Sequence, residues 1–438
     1  MISIDTGTSD IETIQEAKNA SIDTIVLDHH TPNIDTEGTE ILPPAIAVVN
    51  HKRTGSKYPE QVLCGTGVAF TLIRAFLQRY GAEYNIPNGW EKWLLDRVAL
   101  STISDMVPLS GENRILVHYG LIVMGRTRNL GLQALVRGQK INNDKINEED
   151  IAFSITPKIN AASRMTHPMR AFNLLASKNQ SDAQTAYNHL IELNNDRKTR
   201  VSVITRDAHK KLKNRDDMSC IVIGDPDWNV GVLGLVANKL VEENNRPVFL
   251  WSRENNIYKG SCRAPNGFNV EKLMQAAPSD TFTQYGGHDE AGGFTCELEQ
   301  IHKLEDTLNT TYTESKGDII TDPVTYIDME LPIELINREL YQKIRQIAPF
   351  GVGNRKPLFF FRNIIVKSSR GFGRGDLHRE LVLDNRSGGS IRVVFFFKGN
   401  DVDLLSCGPG DVAQLIGTLE EDTYRGGINI KGILLWKE

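Results

Sequence analysis

The sequence is poor in cysteine, has no long apolar run and carries no excess of positive charge. Its five cysteines (Cys64, Cys220, Cys262, Cys296 and Cys407) are scattered, odd in number and lack Cys-x-x-Cys spacing. That usage supports neither a zinc site nor a disulfide framework, and it suits a reducing compartment. No stretch of about 18 apolar residues occurs, and there is no signal-peptide pattern or low-complexity tail, so no membrane role is expected and the default location is cytoplasmic. A net charge of −5 argues against a polycation that grips nucleic acid by charge alone. It leaves room for local basic grooves and for acidic sites neutralised by metal ions. What is present, 40% apolar and 24% charged residues over 438 positions, fits a globular chain with ample core and about three domains.

The chain's first half alternates strand and helix. Met1 to Gly7 reads as a short strand ending in an acid and a glycine turn, and Asp10 to Ala20 has helical spacing, with Ser9 or Asp10 as N-cap. Ile25-Val26-Leu27 is an apolar strand that stops abruptly at Asp28-His29-His30, and Ala45 to Asn50 is another. This β-α-β order predicts a doubly wound parallel sheet, whose chemistry gathers at the carboxyl ends of its strands. Helices are expected over Gly65–Tyr80, Trp90–Asp105 and Asn113–Leu121, and one long helix over Ser181–Lys213. A second α/β unit starts at Cys220-Ile-Val-Ile-Gly224. From about Asp322 short strands with Gly/Asn/Asp turns, interrupted by a helix at Ile333–Ile347, read as a small β-barrel.

Several groups carry candidate chemistry. Asp5-Thr-Gly invites an aspartic-protease reading, but a single-chain enzyme needs two such loops and no second Asp-(Ser/Thr)-Gly occurs. Asp5, His29 and Asp105 instead end separate elements and mix carboxylate with imidazole, a donor set that suits Mn²⁺ or a similar divalent ion. The two histidines could equally solvate a loop, and Asp105 could be a polar helix end. Gly286-Gly287-His288 reads as an anion cradle or as a tight turn with a solvated histidine. Ser261 and Arg263 on the preceding strand could add donors to the same phosphate, and Asn160-Ala-Ala-Ser-Arg164 is a further candidate.

Taken in order, these segments resemble the DHH phosphoesterase superfamily, and most closely the RecJ single-strand exonucleases. Asp5-Thr-Gly matches the family's second acidic motif, Asp28-His29-His30 its name-giving motif, and Ser101 to Leu109 with Asn113-Arg114 its fourth. Pro157 to Arg164, Trp228 to Gly234, Gly260-Ser261-Cys-Arg263, Gly286-Gly-His288 and Pro349 to Asn354 follow in the family's order. The resemblance implies a DHH domain over residues 1–178, a connecting helix over 179–215, a DHH-associated substrate-binding domain over 216–320, and an oligonucleotide-binding (OB) barrel over 321–438.

It also implies a 5′→3′ single-stranded-DNA exonuclease of repair and recombination, using two Mn²⁺ (or Mg²⁺) ions roughly 3.5–4 Å apart. Asp5, His29 and Asp105 would be metal ligands, His30 would contact the scissile phosphate, and Asp28 would orient the histidines. Asn160, Arg164, Ser261, Arg263, Gly286, Gly287 and His288 would bind substrate. Arg370, Arg374, Arg392 and Arg425, with nearby aromatics, are candidates for a strand-binding track on the barrel. A single-strand-binding protein or a helicase is the protein partner such an enzyme would meet.

The chain departs from the family in two places. Asn229-Val230 stands where the family usually has His-Glu, and the Asp-x-Asp pair expected on a strand ahead of Asp5 has no counterpart. The other Asp-x-Asp spacings, Asp225-Pro-Asp227 and Asp401-Val-Asp403, fall in later domains. The expectation is a sheet edge left open before Asp5 and a weakened metal site. Alternatives are therefore a catalytically impaired or split nucleic-acid-binding subunit, and a small-oligonucleotide phosphodiesterase of the same superfamily.

Overall fold

A computed structural model describes the chain except residues 214, 216–217, 255–256, 320–324, 387, 400, 423–425 and 438, and except the side chains of 316–319 and 374. The chain divides into two units. The first comprises Met1–Arg128, Ile141–Ala152 and Thr325–Glu438; the second comprises Asn129–Lys140 and Phe153–Val324.

The first unit opens with β1 (Ile2–Ile4), α1 (Ile11–Asn19), β2 (Ile25–Leu27), the small ribbon β3 (Asn33–Ile34) and β4 (Glu40–Ile41), and β5 (Ala47–Val49). β1, β2 and β5 form a parallel sheet in the order β1-β2-β5, with Ile25 opposite both Ile2 and Ala47. The central strand is the apolar one because it alone pairs on both sides; Val26 and Leu27 are buried, whereas Ile2 and Ile4 on the outer strand are exposed. α2 (Gly65–Tyr80), α3 (Leu95–Ser104, preceded by a 3₁₀ turn) and α4 (Gly111–Met124) complete this part. Leu27, Leu63, Val68, Phe70, Leu95, Val98 and Leu116 form their shared core. Each such buried side chain contributes about 1.5–3 kcal/mol.

The second unit contains α5 (Leu130–Gly138), α6 (Thr156–Met165), α7 (Met169–Leu175) and α8 (Gln180–Leu212). It continues with β6 (Ile221–Gly224), α9 (Leu233–Asn244), β7 (Val248–Glu254) and β8 (Ile257–Arg263), then α10 (Val270–Ala276), β9 (Gln284–His288), β10 (Ala291–Cys296), α11 (Leu298–Ile301) and α12 (Leu304–Ile319). α8 has 33 residues, about 50 Å of helix. Asn179 caps it by accepting the Asp182 N–H, and its last turn is basic, as the helix dipole favours. Its buried stripe runs Leu190, Asn194, Ile204, Thr205 and Ala208, with Val201 packed alongside.

The five-stranded sheet has the order β6-β7-β8-β10-β9. One face, with Phe249, Tyr258, Cys262 and Phe294, packs on α10, α11 and α12. On the other face, α8 and α9 cover Ile221, Ile223, Val248 and Leu250.

The first unit resumes with β11 (Met329–Glu330), α13 (Arg338–Arg345), β12 (Phe359–Phe372), β13 (His378–Asp384), β14 (Ser390–Phe395), α14 (Val402–Ser406), β15 (Val412–Glu421) and β16 (Ile428–Lys437). The sheet runs β11-β12-β13-β14-β16-β15, and a β12–β15 pairing closes it into a barrel around Phe361, Leu381, Val393, Phe395, Leu415 and Ile430. The helix expected over Ile333–Ile347 is shorter: a 3₁₀ turn and then α13, capped by the Asn337 side chain. The Pro349–Asn354 turn lies against Pro108-Leu109. The Leu109 N–H donates to Val352 O at 2.6 Å, and a Cβ on Gly351 would sit 2.8 Å from Leu109 Cδ1.

All five cysteines are free and buried. Among the described residues no helix is long and apolar enough to cross a membrane.

Candidate functional site

The carboxyl ends of β1, β2 and β5 converge. Asp28, the first residue after β2, is almost wholly buried and is the organising acceptor. Its Oδ2 accepts the Thr8 N–H at 2.9 Å, while Oδ1 accepts the His29 N–H at 2.7 Å and faces His30 Nδ1 at 2.7 Å. Burial pushes its carboxyl upward, but these hydrogen bonds from Thr8, His30 and His29 win and hold it well below the usual carboxylate range. Asp28 is therefore an anion that ties the turn after β1 to both histidines.

That turn places Asp5 in the left-handed region at φ +65, a conformation costing about 1 kcal/mol or more for a non-glycine residue. Gly65, at the start of α2, makes room for it: a Cβ there would lie 2.4 Å from Asp5 Oδ1. Asp105 caps the carboxyl end of α3. His29 is buried between these acids, its Nε2 3.1 Å from Asp5 Oδ1 and 3.5 Å from Asp105 Oδ2. Neither contact is aligned as a hydrogen bond, and both ring nitrogens lack one. Donor atoms of Asp5, His29 and His30 lie within 4.8 Å of one another, the grouping of a cation site.

The electrostatics agree with that grouping. Asp5 beside it, opposed by burial and helped by Asp105, raises the His29 pKa above its ordinary value. Burial first, and then the repulsion of Asp5, raise that of Asp105 despite the attraction of His29. Two carboxylates facing one imidazole favour a positive charge among them, which a proton or a divalent cation supplies.

A second set of predicted residues gathers in the second unit. Across β8, β10 and β9 the register pairs Arg263 with Ala291 and Ala291 with His288, and likewise Ser261 with Gly293 and Gly293 with Gly286. Directly opposed residues of antiparallel strands share a face, so Ser261, Arg263 and His288 stand on one face. This is also the face of Val248 and Leu250, which oppose Arg263 and Ser261 on β7 and pack under α9. Around β9 and β10 the same face is open: a Cβ on Gly286 would meet nothing within 4 Å, and one on Gly293 only Gly260 O at 3.6 Å. Gly287 and Gly292 face the other way and are tightly packed, Gly292 against Cys262 Sγ and Met274 Cε. Gly286-Gly287-His288 is thus not a turn or a loop nest but part of an edge strand, and the glycines of its open face leave a bare shelf beside Arg263.

Arg164, on α6, reaches the same region and donates to Gly231 O at 3.3 Å. Arg263 donates to its neighbour's carbonyl, Cys262 O, at 2.7 Å, and a Cβ on Gly234 would lie 2.9 Å from Arg263 Nη2. Burial lowers the pKa of both guanidinium groups, and for Arg263 the charge of Arg164 adds to the effect. Neither pairs with an acid among the described residues. Asn160 is on α6 as well, its carbonyl accepting the Ser163 hydroxyl at 3.3 Å.

The barrel arginines divide differently. Arg370 pairs with buried Glu380 at 2.6 Å, and Arg392 with Glu380 at 2.7 Å and Asp422 at 2.5 Å. Both arginines are engaged by acids: Glu380 lies directly opposite Arg370 and also reaches Arg392, which is diagonal to it on the next strand. The Arg374 side chain and Arg425 lie outside the described residues. The exposed feature here is aromatic: Phe372, His378, Phe396 and Phe397 cluster with ring centroids 4.9–6.5 Å apart.

Residues 1–102 match the DHH family N-terminal domain, 217–314 the DHHA1 domain and 327–434 the RecJ OB domain. The single-stranded-DNA-specific exonuclease RecJ of Haemophilus influenzae is 30% identical over 452 residues, covering 98% of this chain and 76% of that protein. This chain belongs to the RecJ family. RecJ of Bacillus subtilis is 34% identical over 425 residues, and the chain spans 51% of its length. The crystal structure of RecJ in complex with Mn²⁺ from Thermus thermophilus superimposes with a TM-score of 0.81 at 27% identity, over all of this chain and 61% of that one.

Sequence reading missed several RecJ residues that the structure brings into these sites. Buried Asn50 donates through Nδ2 to His30 O at 2.8 Å and to Thr8 Oγ1 at 3.0 Å, completing the frame around Asp28. Its position at the carboxyl end of β5, level with Asp28 on β2, was the available signal. Gly65 had none, because its role is the space it leaves.

Proposed function

We propose that this chain is a single-strand-specific 5′→3′ exonuclease that hydrolyses phosphodiester bonds in DNA with divalent cations. The observation that carries the reading is the convergence of Asp5 and Asp105 on a buried His29 nitrogen that makes no hydrogen bond. Carboxylate and imidazole together suit Mn²⁺, with Mg²⁺ as the harder alternative. Asp5, His29 and Asp105 would hold a cation, and two ions are the expectation for the complete family site. When bound, a divalent cation polarises a phosphoryl oxygen and lowers the pKa of a water molecule.

The chain's own residues do the rest. Asp28 fixes His30 through Nδ1, which leaves Nε2 to meet the scissile phosphate: as imidazolium it donates to a non-bridging oxygen, as neutral ring it accepts a proton. Arg164 and Arg263 would hold the 5′-terminal phosphate, with Ser261 and His288 on the shelf left open by Gly286 and Gly293, and with Gly287 in the strand that carries them and Asn160 alongside. The aromatic cluster at Phe372, Phe396 and Phe397 would stack bases of the incoming strand. Buried free thiols agree with a cytoplasmic enzyme. A single-strand-binding protein or a helicase is the class of partner that would deliver such a strand. The working division is 1–178, 179–215, 216–320 and 321–438.

The test is incubation with Mn²⁺ and 5′-phosphorylated single strands. Mononucleotides should be released from the 5′ end, duplex should be spared, and EDTA should stop the reaction. Equal rates for wild type and His29→Ala, or equal digestion of duplex, would contradict the reading.

A further inference from the structure

The second unit holds a cation that the terminal-phosphate site does not use. On α8 the inward stripe Leu190, Asn194, Val201, Ile204 and Ala208 continues, at the spacing of core positions, through Arg197. A guanidinium on the packed side of a helix costs free energy unless an anion or hydrogen bonds compensate it. Arg197 has neither: it is half-buried, its Nε is shielded from solvent without a hydrogen-bond partner, and no acid pairs with it among the described residues. Asp196, its chain neighbour, is taken by Arg200 at 3.1 Å.

The surroundings add positive charge. α6 packs along α8 and brings Arg164 and the half-buried Lys158. Burial, and then the charge of Arg164, lower the Arg197 pKa, and burial with the charges of Lys198 and Arg197 lowers that of Lys158. Arg164 is held at Gly231, Gly234 of the same segment faces Arg263, and Lys158 lies six residues back along α6, about 9 Å from Arg164 along the axis. The cations are therefore spread along α6, from Arg263 beside its carboxyl end to Lys158 near its start, with Arg197 on the helix packed alongside. That is a row and not a cage: a cage would suit one anion, while a row suits successive charges of a polyanion.

We propose that Arg197, assisted by Lys158, is a binding residue for the second phosphate of the substrate strand, the phosphodiester next to the terminal phosphate held by Arg164 and Arg263. This rests on the terminal-phosphate reading above and adds a length requirement to it. The strand must carry two phosphates in sequence to fill the row, so a 5′-phosphorylated dinucleotide is bound more tightly than a mononucleotide.

The experiment measures equilibrium binding of thymidine 5′-monophosphate and of 5′-phosphorylated thymidine dinucleotide to the full chain in EDTA, which keeps the ligands intact. Arg197→Gln should weaken the dinucleotide about tenfold, the usual size of a lost charge-assisted contact, and leave the mononucleotide unchanged. Arg197→Lys should recover much of the loss. For a longer single strand, Arg197→Gln should also reduce the slope of log affinity against log salt by about 0.7, one phosphate's worth. Lys158→Gln should repeat the pattern more weakly and serves if Arg197→Gln does not fold.

An unchanged dinucleotide affinity would overturn the proposal, as would an equal loss for both ligands. Arg263→Gln separates the layers: it should weaken both ligands. If it weakens neither, the terminal-phosphate reading itself fails; if it weakens both while Arg197→Gln weakens neither, only the second-phosphate proposal fails.

Discussion

The site around His29 and the row of cations from Arg263 to Lys158 are opposite solutions to placing charge in a folded chain. Around His29 the frame is saturated: Asp28 accepts from Thr8, His29 and His30, and Asn50 ties Thr8 to His30. Among the described residues the two His29 ring nitrogens have no hydrogen-bond partner, with Nε2 turned toward Asp5 and Asp105. The cation row has almost no frame. Arg164 and Arg263 each hold one backbone carbonyl, and Arg197 Nε holds nothing. A pre-organised site stores its cost in fixed geometry, whereas an unpaired site stores it in repulsion that an anionic ligand relieves.

The comparison breaks most visibly at the metal donors. His29→Ala or Asp105→Asn should lower Mn²⁺-dependent release of nucleotides by about a thousandfold or more, measured as single-turnover rates, with little change in strand binding. Next comes the frame. Asp28→Asn removes a buried anion that several donors were built to meet, and should destabilise the chain by about 3 kcal/mol in urea unfolding. The sign with pH follows from the depressed carboxyl. Its stabilisation is present above the unfolded pKa of about 3.9 and is lost as pH falls toward the lower folded value, so the variant should lose most against wild type at neutral pH and least in acid.

The arginines should behave the other way. Arg263→Gln removes an unpaired, half-buried charge, so stability should stay level or rise by about 0.5–1 kcal/mol, while affinity for a 5′-phosphorylated strand falls about tenfold. A destabilised Arg263→Gln would mean the two sites are alike after all. The smallest effect concerns the thiols. Burial pushes Cys220, Cys262 and Cys296 up to about 12, so they should resist alkylation at pH 8 in the folded chain and react promptly in urea.

How far these sites could be read in the sequence follows from the same contrast. The strand ending at Asp28-His29-His30 was legible because a β-branched run stopping at three polar residues marks the carboxyl end of a parallel strand, and β2 has that place at the centre of its sheet. The barrel was legible from short strands and turns, although the β12–β15 closure was not, since pairings distant in sequence leave no local pattern. Gly286-Gly287-His288 reads in sequence as an anion cradle or a tight turn, and its place in an edge strand was not legible. Paired glycines usually punctuate, but here one keeps a shelf open and the next lets two strands approach. Arg370 and Arg392 were candidates for a basic track, and the strand register sets Glu380 opposite the first and diagonal to the second. Arg197 was invisible, because one arginine in a charged helix signals nothing until its neighbours show that it faces inward.

Direct titration of Mn²⁺, followed by its electron paramagnetic resonance signal, tests without any catalytic step whether Asp5, His29 and Asp105 form a cation site. Wild type should bind Mn²⁺ saturably, and His29→Ala and Asp105→Asn should each bind it about 10–100-fold more weakly while remaining folded. Unchanged Mn²⁺ affinity in both variants would contradict the account.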